Sequence, residues 1–373
     1  MKIVYLSSPI SSQYGGGEKF LDDFTSGIDA QHEFIGSSKA IHDLFLSKGH
    51  KPTLTAGLFE PVSPRNLLLF PISMFAGLVQ FIRFYKTFKA SDWIISPTSH
   101  CETFFVIPWI RLFLRKPVLY MVHSNKPPRI FSLFPFNKLI SFCWGDSPVA
   151  FVSNSQKKLW NSVGINSGNQ IVIYNGVQIN QYKNEIQTDR RSIKIGFVAR
   201  LHWEKACDVL IKALKSIKST HLIEVIIGGD GPEKSNLLAL YAVQNLPKNI
   251  TVSFVGFVSD VKLFYQSLDV LVFPSRYESF GLVIIEAMER GLSVITSDIP
   301  SSVEVKNIVN LKTEKELVFE LDSIGDLASK IDYFISHQQV YLDVNYKQKL
   351  HNLVVEKFDL EKMLIEYRKV LNL

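Results

Sequence analysis

Short apolar runs recur along the chain, each bounded by turn residues and followed by a stretch with helical spacing. In the first half they are KIVYLS (2–7), HEFIGS (32–37), DWIISP (92–97), PVLYMVH (117–123) and AFVSNS (150–155). In the second half they are IKIGFVAR (193–200), IEVIIGGDGP (223–232), ITVSFVGFV (250–258), DVLVFPS (269–275) and LSVITSD (292–298). Apolar strands alternating with helices predict parallel sheets covered on both faces, the doubly wound α/β arrangement. Between the two sets, NQYKNEIQTDRRS (180–192) carries charge without apolar periodicity and reads as a linker. The pattern predicts two Rossmann-like domains in tandem, residues 1–183 and 184–350. The remaining stretch, 351–373, places Met363, Leu364, Tyr367, Val370 and Leu371 at helical spacing and is expected to pack back on the first domain.

One segment departs from this rhythm. LLLFPISMFAGLVQFI (67–82) is almost wholly apolar and is flanked by Arg65 and Arg83. A helix that spans a bilayer needs about 20 such residues, and Pro71 interrupts this shorter run. It is expected to be a buried core helix. The continuation RFYKTFK, which mixes aromatic and basic residues, keeps docking at a membrane surface as the alternative.

Composition narrows the setting. A chain of 373 residues with 46% apolar and 20% charged residues can bury two substantial cores. Cys101, Cys143 and Cys207 have neither metal-ligand nor redox spacing and fit a reducing cytosol. The opening MKIVYLSSPI reads as a first strand and lacks the long apolar core of a secretory signal, so a cytoplasmic protein is expected. Net charge is +6, with residues 1–183 contributing +8 and the remainder −2. The excess positive charge of the first half favours an anionic surface or substrate, such as acidic headgroups or phosphates. With no dense Lys/Arg run or nucleic-acid-binding motif, no nucleic-acid partner is expected.

In open α/β sheets ligands bind beyond the carboxyl ends of the strands, so the post-strand loops carry the chemistry. Arg200 ends the first strand of the second domain and Lys205 follows it where a helix begins. Two cations on one strand-to-helix loop suit a diphosphate, although two solvated surface charges would read the same way. IIGGDGPEK (226–234), with Gly231, is either a plain turn or a close backbone approach to a ligand. At Phe257 and Val258, the end of FVGFV, the backbone could pair with a nucleobase edge. SRYESFGLVIIEAMERG (275–291) places Glu278 before a helix and Glu286 within it. The free amides and dipole at that helix start favour an anion, and Gly281 leaves space for one. With the helix expected from about Phe280, Glu286 lies roughly 7–8 Å along its axis. That is near the step from a diphosphate to its ribose, whose adjacent hydroxyls suit a carboxylate acceptor. Glu278 would then stand where the donor sugar projects.

Together, Glu278 and Glu286 at this spacing, Arg200 with Lys205, GGDGP, and IVIYNGV (171–177) resemble the retaining GT-B glycosyltransferases of family 4. The order of motifs runs from GGGE (15–18) to the terminal helix. The resemblance implies two Rossmann-like domains facing across a cleft, and transfer of a sugar from a UDP- or GDP-sugar donor with retention. It implies that Lys205 and Arg200 hold the diphosphate, Glu286 binds the ribose, and Glu278 with Phe280, Gly281 and Leu282 contacts the sugar. Gly16 and Gly17 resemble the family's glycine loop against the donor phosphates, without the G-x-G-x-x-G spacing of a dinucleotide site. His123 matches the histidine that reaches the donor sugar, but Ser124 and Asn125 stand where an acidic residue often follows.

A second departure is KNIVNLKTEKELVF (306–319), in place of a glycine-containing loop after Glu304. No cofactor or metal is implied, consistent with the lack of a DxD motif. The acceptor is expected to be lipid-linked or a glycan, in bacterial surface-polysaccharide or glycolipid assembly, with peripheral contact on an anionic membrane. A GT-B nucleotide-sugar 2-epimerase and a non-catalytic nucleotide-binding partner are the rival readings.

Overall fold

A computed structural model describes residues 1–7, 16–55, 70–97, 104–124, 136–166, 169–179 and 191–373. The chain divides into two compact units. The first comprises Met1–Asn175 together with Leu360–Leu373, and the second Gly176–Asp359.

The first unit is built on β1 (Lys2–Ser7), β2 (Gln31–Gly36), β3 (Lys51–Leu54), β4 (Trp93–Pro97), β5 (Val118–Val122), β6 (Val149–Phe151) and β7 (Gln170–Val172). These form one sheet in the order β3-β2-β1-β4-β5-β6-β7, and every pairing is parallel. Because side chains alternate across a strand, β1 feeds two cores. Ile3 and Tyr5 pack with Phe20, Phe24, Met363, Leu364 and Tyr367 on one face. Val4 and Leu6 pack with Phe81, Phe88, Ile110 and Trp144 on the other.

The second unit repeats the scheme with β8 (Ile193–Val198), β9 (Ile223–Gly228), β10 (Ile250–Gly256), β11 (Val270–Phe273), β12 (Ser293–Ser297) and β13 (Val318–Phe319). Its parallel order is β10-β9-β8-β11-β12-β13. Strand order reverses between β8 and β11, and such a switch point is where open α/β sheets place ligands.

Two boundaries differ from the sequence expectation. The second unit begins at Gly176 rather than 184, and residues 180–190 of the expected linker lie outside the described residues. The return to the first unit begins at Leu360 rather than 351. The helix Val344–Phe358 belongs to the second unit, where it packs on the helices Leu282–Glu289 and Pro300–Val309. A bridge between Val177 and Asp359, with Val177 N–H donating to the Phe358 carbonyl at 2.8 Å, joins the two ends of the second unit.

The expected core helix also differs. Residues 67–69 lie outside the described residues, and a helix covers Phe70–Arg83. Its inner face is buried through Ser73, Gly77, Gln80 and Phe81. Gly77 is required there, because a Cβ would stand 2.1 Å from the Phe105 carbonyl oxygen. Its other face is exposed, so it is not a buried core helix. Among the described residues no helix is long and apolar enough to cross a membrane.

Candidate functional site

The exits of β8 and β11 form the switch point of the second unit. Beyond β8, the Leu201 N–H donates to the Asp230 carbonyl at 2.8 Å, and the Glu233 N–H donates to the Leu201 carbonyl at 3.0 Å. These bonds press the Gly228–Gly231 turn against the loop that carries Arg200. At Gly229 (φ 131°) a Cβ would stand 1.9 Å from the Ala199 carbonyl oxygen, and at Gly231 (φ 156°) 2.4 Å from that of Leu201. The two glycines are therefore explained by backbone crowding, and the turn braces the cation loop.

The β11 exit is tied to the same loop by a residue that sequence reasoning missed. The Arg276 N–H donates to the Glu204 carbonyl at 2.8 Å. The Arg276 guanidinium donates to the Trp203 carbonyl at 2.7 Å, to both Asp208 oxygens at 3.1 Å and to Asp322 at 2.7 Å, and it lies over the Trp203 ring. Its side chain is only 10% exposed. Burial would raise the Asp208 carboxyl, but the hydrogen bonds from Arg276 and Lys212 outweigh it and hold it below its ordinary value. Arg276 is thus spent on joining two loops. Arg200 is exposed and pairs with no carboxylate among the described residues.

That brace brings Lys205 and Glu278 together. The Lys205 ammonium donates to Glu278 Oε1, which also accepts from Ser275 Oγ at 3.3 Å. The Ser275 carbonyl in turn accepts from Ser297 Oγ at 2.6 Å. The Lys205 Nζ lies 5.9 Å from the centre of the Phe273 ring.

Gly281 follows at φ 92° as the N-cap of the helix Leu282–Glu289, and its carbonyl accepts from the Ile284 N–H at 2.9 Å. The left-handed backbone there favours glycine. Phe280 is buried, with its ring 5.7 Å from that of Phe358, so its side chain serves the core and only its backbone is open to a ligand role. Leu282 is half-buried.

Glu286 stands four residues into the helix, about 6 Å along its axis. Tyr265 donates its hydroxyl to Glu286 Oε2 at 3.2 Å. Burial first, and the nearby carboxylate second, push the Tyr265 phenol well above its ordinary value, so it stays a donor. Asp260 caps the helix Val261–Gln266 that carries Tyr265, accepting from the Lys262 and Leu263 N–H groups at 3.0 Å. Next to β10, Phe257 is 80% exposed, and Val258 is half-buried where a Cβ on Gly228 would meet it at 2.6 Å.

The KNIVNLKTEKELVF segment contains no open loop. It finishes the helix Pro300–Val309, reverses at Asn310 (φ 56°), and forms the helix Lys312–Glu316 and β13. Lys306 and Glu314 pair inside it, and burial pulls the Lys306 ammonium below its ordinary value. Glu304 lies on the same helix, half-buried.

In the first unit, Gly16 and Gly17 open the helix Gly16–Gly27, and residues 8–15 lie outside the described residues. Phe20 of that helix sets its ring 4.2 Å from the His123 ring. Burial pushes the His123 imidazole down to about 4, leaving it neutral near pH 7. Asn125 lies outside the described residues.

In the second unit, then, the exits of β8 and β11 carry two cations, a helix N-terminus and two carboxylates, of which Lys205 and Glu278 are in contact. Residues 178–351 match the family model for glycosyl transferases group 1. Among relatives, the chain is 30% identical over 235 residues to the O-antigen biosynthesis glycosyltransferase WclY of Escherichia coli, covering 61% of each chain. It is 26% identical over 227 residues to the capsular polysaccharide biosynthesis glycosyltransferase CapM of Staphylococcus aureus, covering 57% of this chain and 58% of that one. The chain thus spans about three fifths of the length of these curated relatives. Its fold is similar to that of Anabaena HepE, solved in complex with UDP and glucose. The TM-score is 0.76 at 20% identity, over 100% of this chain and 99% of that one. The architecture is GT-B, with two parallel-sheet Rossmann-like domains.

Proposed function

We propose that the protein is a glycosyltransferase that moves a sugar from a nucleotide donor to an acceptor hydroxyl with retention, in the manner of family 4. The acceptor is a lipid-linked or glycan component of a bacterial surface polysaccharide or glycolipid. The observation that carries this reading is the Lys205–Glu278 contact at the switch point, on loops that also carry Arg200 and the Leu282–Glu289 helix start, with Glu286 about one diphosphate-to-ribose step along that helix. Relatives named for O-antigen and capsular polysaccharide biosynthesis support the acceptor class. The HepE complex with UDP supports a uridine donor, with a GDP-sugar as the alternative.

In the proposed reaction the bond between the anomeric carbon and the diphosphate oxygen breaks. The acceptor oxygen bonds to that carbon on the same face, and its proton passes to the departing phosphate oxygen. Negative charge grows on the diphosphate, where Lys205, Arg200 and the helix amides would stabilise it. Lys205 donates to Glu278, so a diphosphate binding there would share the ammonium. Glu278 is then released toward the sugar hydroxyls. His123, kept neutral by burial, would donate a hydrogen bond to the sugar without adding charge.

The test is calorimetric titration with UDP, GDP and ADP. One nucleoside diphosphate should bind selectively to the native chain, and Lys205→Ala should abolish that binding. If none of the three binds, the diphosphate assignment fails.

A further inference from the structure

The helix Phe70–Arg83 buries one face, and its opposite face is apolar yet exposed. Such a helix belongs inside a protein or against another apolar phase, since a face meant for water carries polar residues. Ile72, Phe75, Val79 and Ile82 follow helical spacing along the open face, and Leu112 and Phe113 of the helix Ile107–Leu114 are open beside it. All six are between 48 and 68% exposed. The two helices are continuous through Phe113, whose ring stacks 5.8 Å from that of Phe81 and 6.3 Å from that of Trp109. Apolar patches of this kind on a folded domain mark interaction sites.

Charge shows what covers it. Residues 70–90 contain Arg83, Lys86 and Lys89, residues 104–118 contain Arg111, Arg115 and Lys116, and neither segment has an aspartate or glutamate. Arg111, Arg115 and Lys116 line a depression of about 370 Å³ at the end of the second helix, with Asp146 its only acid. A second copy of the chain meeting this face across a two-fold axis would oppose cation to cation. An anionic lipid surface satisfies both halves of the pattern, taking the apolar side chains below its headgroups and the cations among them.

We propose that this face of the first unit is a membrane-docking surface for anionic lipid. Ile72, Phe75, Val79, Ile82, Leu112 and Phe113 enter the acyl boundary, while Arg83 and Arg115 engage headgroups. The inference stands on the first unit alone and does not depend on the nucleotide reading of the second.

Co-sedimentation of the full chain with phosphatidylglycerol–phosphatidylcholine vesicles tests it. The native chain should bind them, bind pure phosphatidylcholine far more weakly, and detach as salt is raised. Phe75→Ser/Phe113→Ser should weaken binding at least tenfold. Arg83→Gln/Arg115→Gln should weaken it about 25-fold, roughly fivefold per charge. Nucleotide titration of each variant should be unchanged. Acyl-brominated vesicles should quench tryptophan emission of the unaltered chain, because Trp109 stacks on Phe113, and this readout needs no variant. Absence of vesicle binding or of quenching, or equal binding by both variants, overturns the proposal. A dimer that Phe75→Ser/Phe113→Ser splits while vesicle binding persists also overturns it and gives the face to a second copy.

Discussion

Glu278 and Glu286 lie eight residues apart on either side of Gly281, yet their surroundings set them opposite tasks. Glu278 sits in a loop braced by Arg276 and faces a cation, Lys205. Glu286 sits on a rigid helix and faces a buried neutral phenol, Tyr265. A carboxylate held by an ammonium surrenders its partner when a stronger anion arrives, so on the proposed reading Glu278 shifts as the diphosphate binds. A carboxylate that accepts from a neutral phenol has no ammonium to surrender, so on the proposed reading Glu286 offers the ribose an acceptor from a fixed helix. The difference teaches that residues of one type in one motif are distinguished by what the rest of the fold sets beside them.

Substitutions can break that comparison. The largest effect is expected from Glu278→Gln. Transfer should fall by about 100-fold, while the nucleoside diphosphate binds as tightly or more tightly because Lys205 is freed. Steady-state rates set against calorimetry measure both, and parallel losses would show that Glu278 holds the nucleotide. Glu286→Ala should weaken the nucleoside diphosphate about 10- to 100-fold, the range for hydrogen bonds to a charged group. A 2′,3′-dideoxy analogue should bind native and variant chains alike. If the variant loses affinity for the analogue too, Glu286 does not act through the ribose. The smallest effect belongs to Tyr265→Phe, which should weaken nucleotide binding about three- to fivefold. A larger loss would make the phenol a ligand contact rather than a support for Glu286.

The strands that line the switch points were legible because each is a continuous apolar run. β3 was not: KPTL carries a lysine and a proline, as an edge strand does, and it is half-exposed. β7 is a partly buried edge strand of three residues and β13 spans only two, so neither shows a clear apolar run. At the site, residue types and spacing pointed to Lys205, Glu278 and Glu286. The brace by Arg276 could not be read, since Asp208 and Asp322 lie 68 and 46 residues away in the chain. Tyr265 was hidden for a similar reason, as it reaches Glu286 from the helix before β11. The helix Phe70–Arg83 was misjudged because periodicity reports that a face is apolar and not whether a neighbour covers it.

The closure of the first unit by its last helix has a consequence for the order in which the protein is made. Met363, Leu364 and Tyr367 complete the core that Phe20 and Phe24 begin, so strands made before the second unit wait for residues made after it. The second unit, contiguous from Gly176 to Asp359, can finish its own core in the meantime. Synthesis therefore delivers the two units in one order and folding completes them in the other, with the first unit's core open to chaperones until Leu360–Leu373 have emerged.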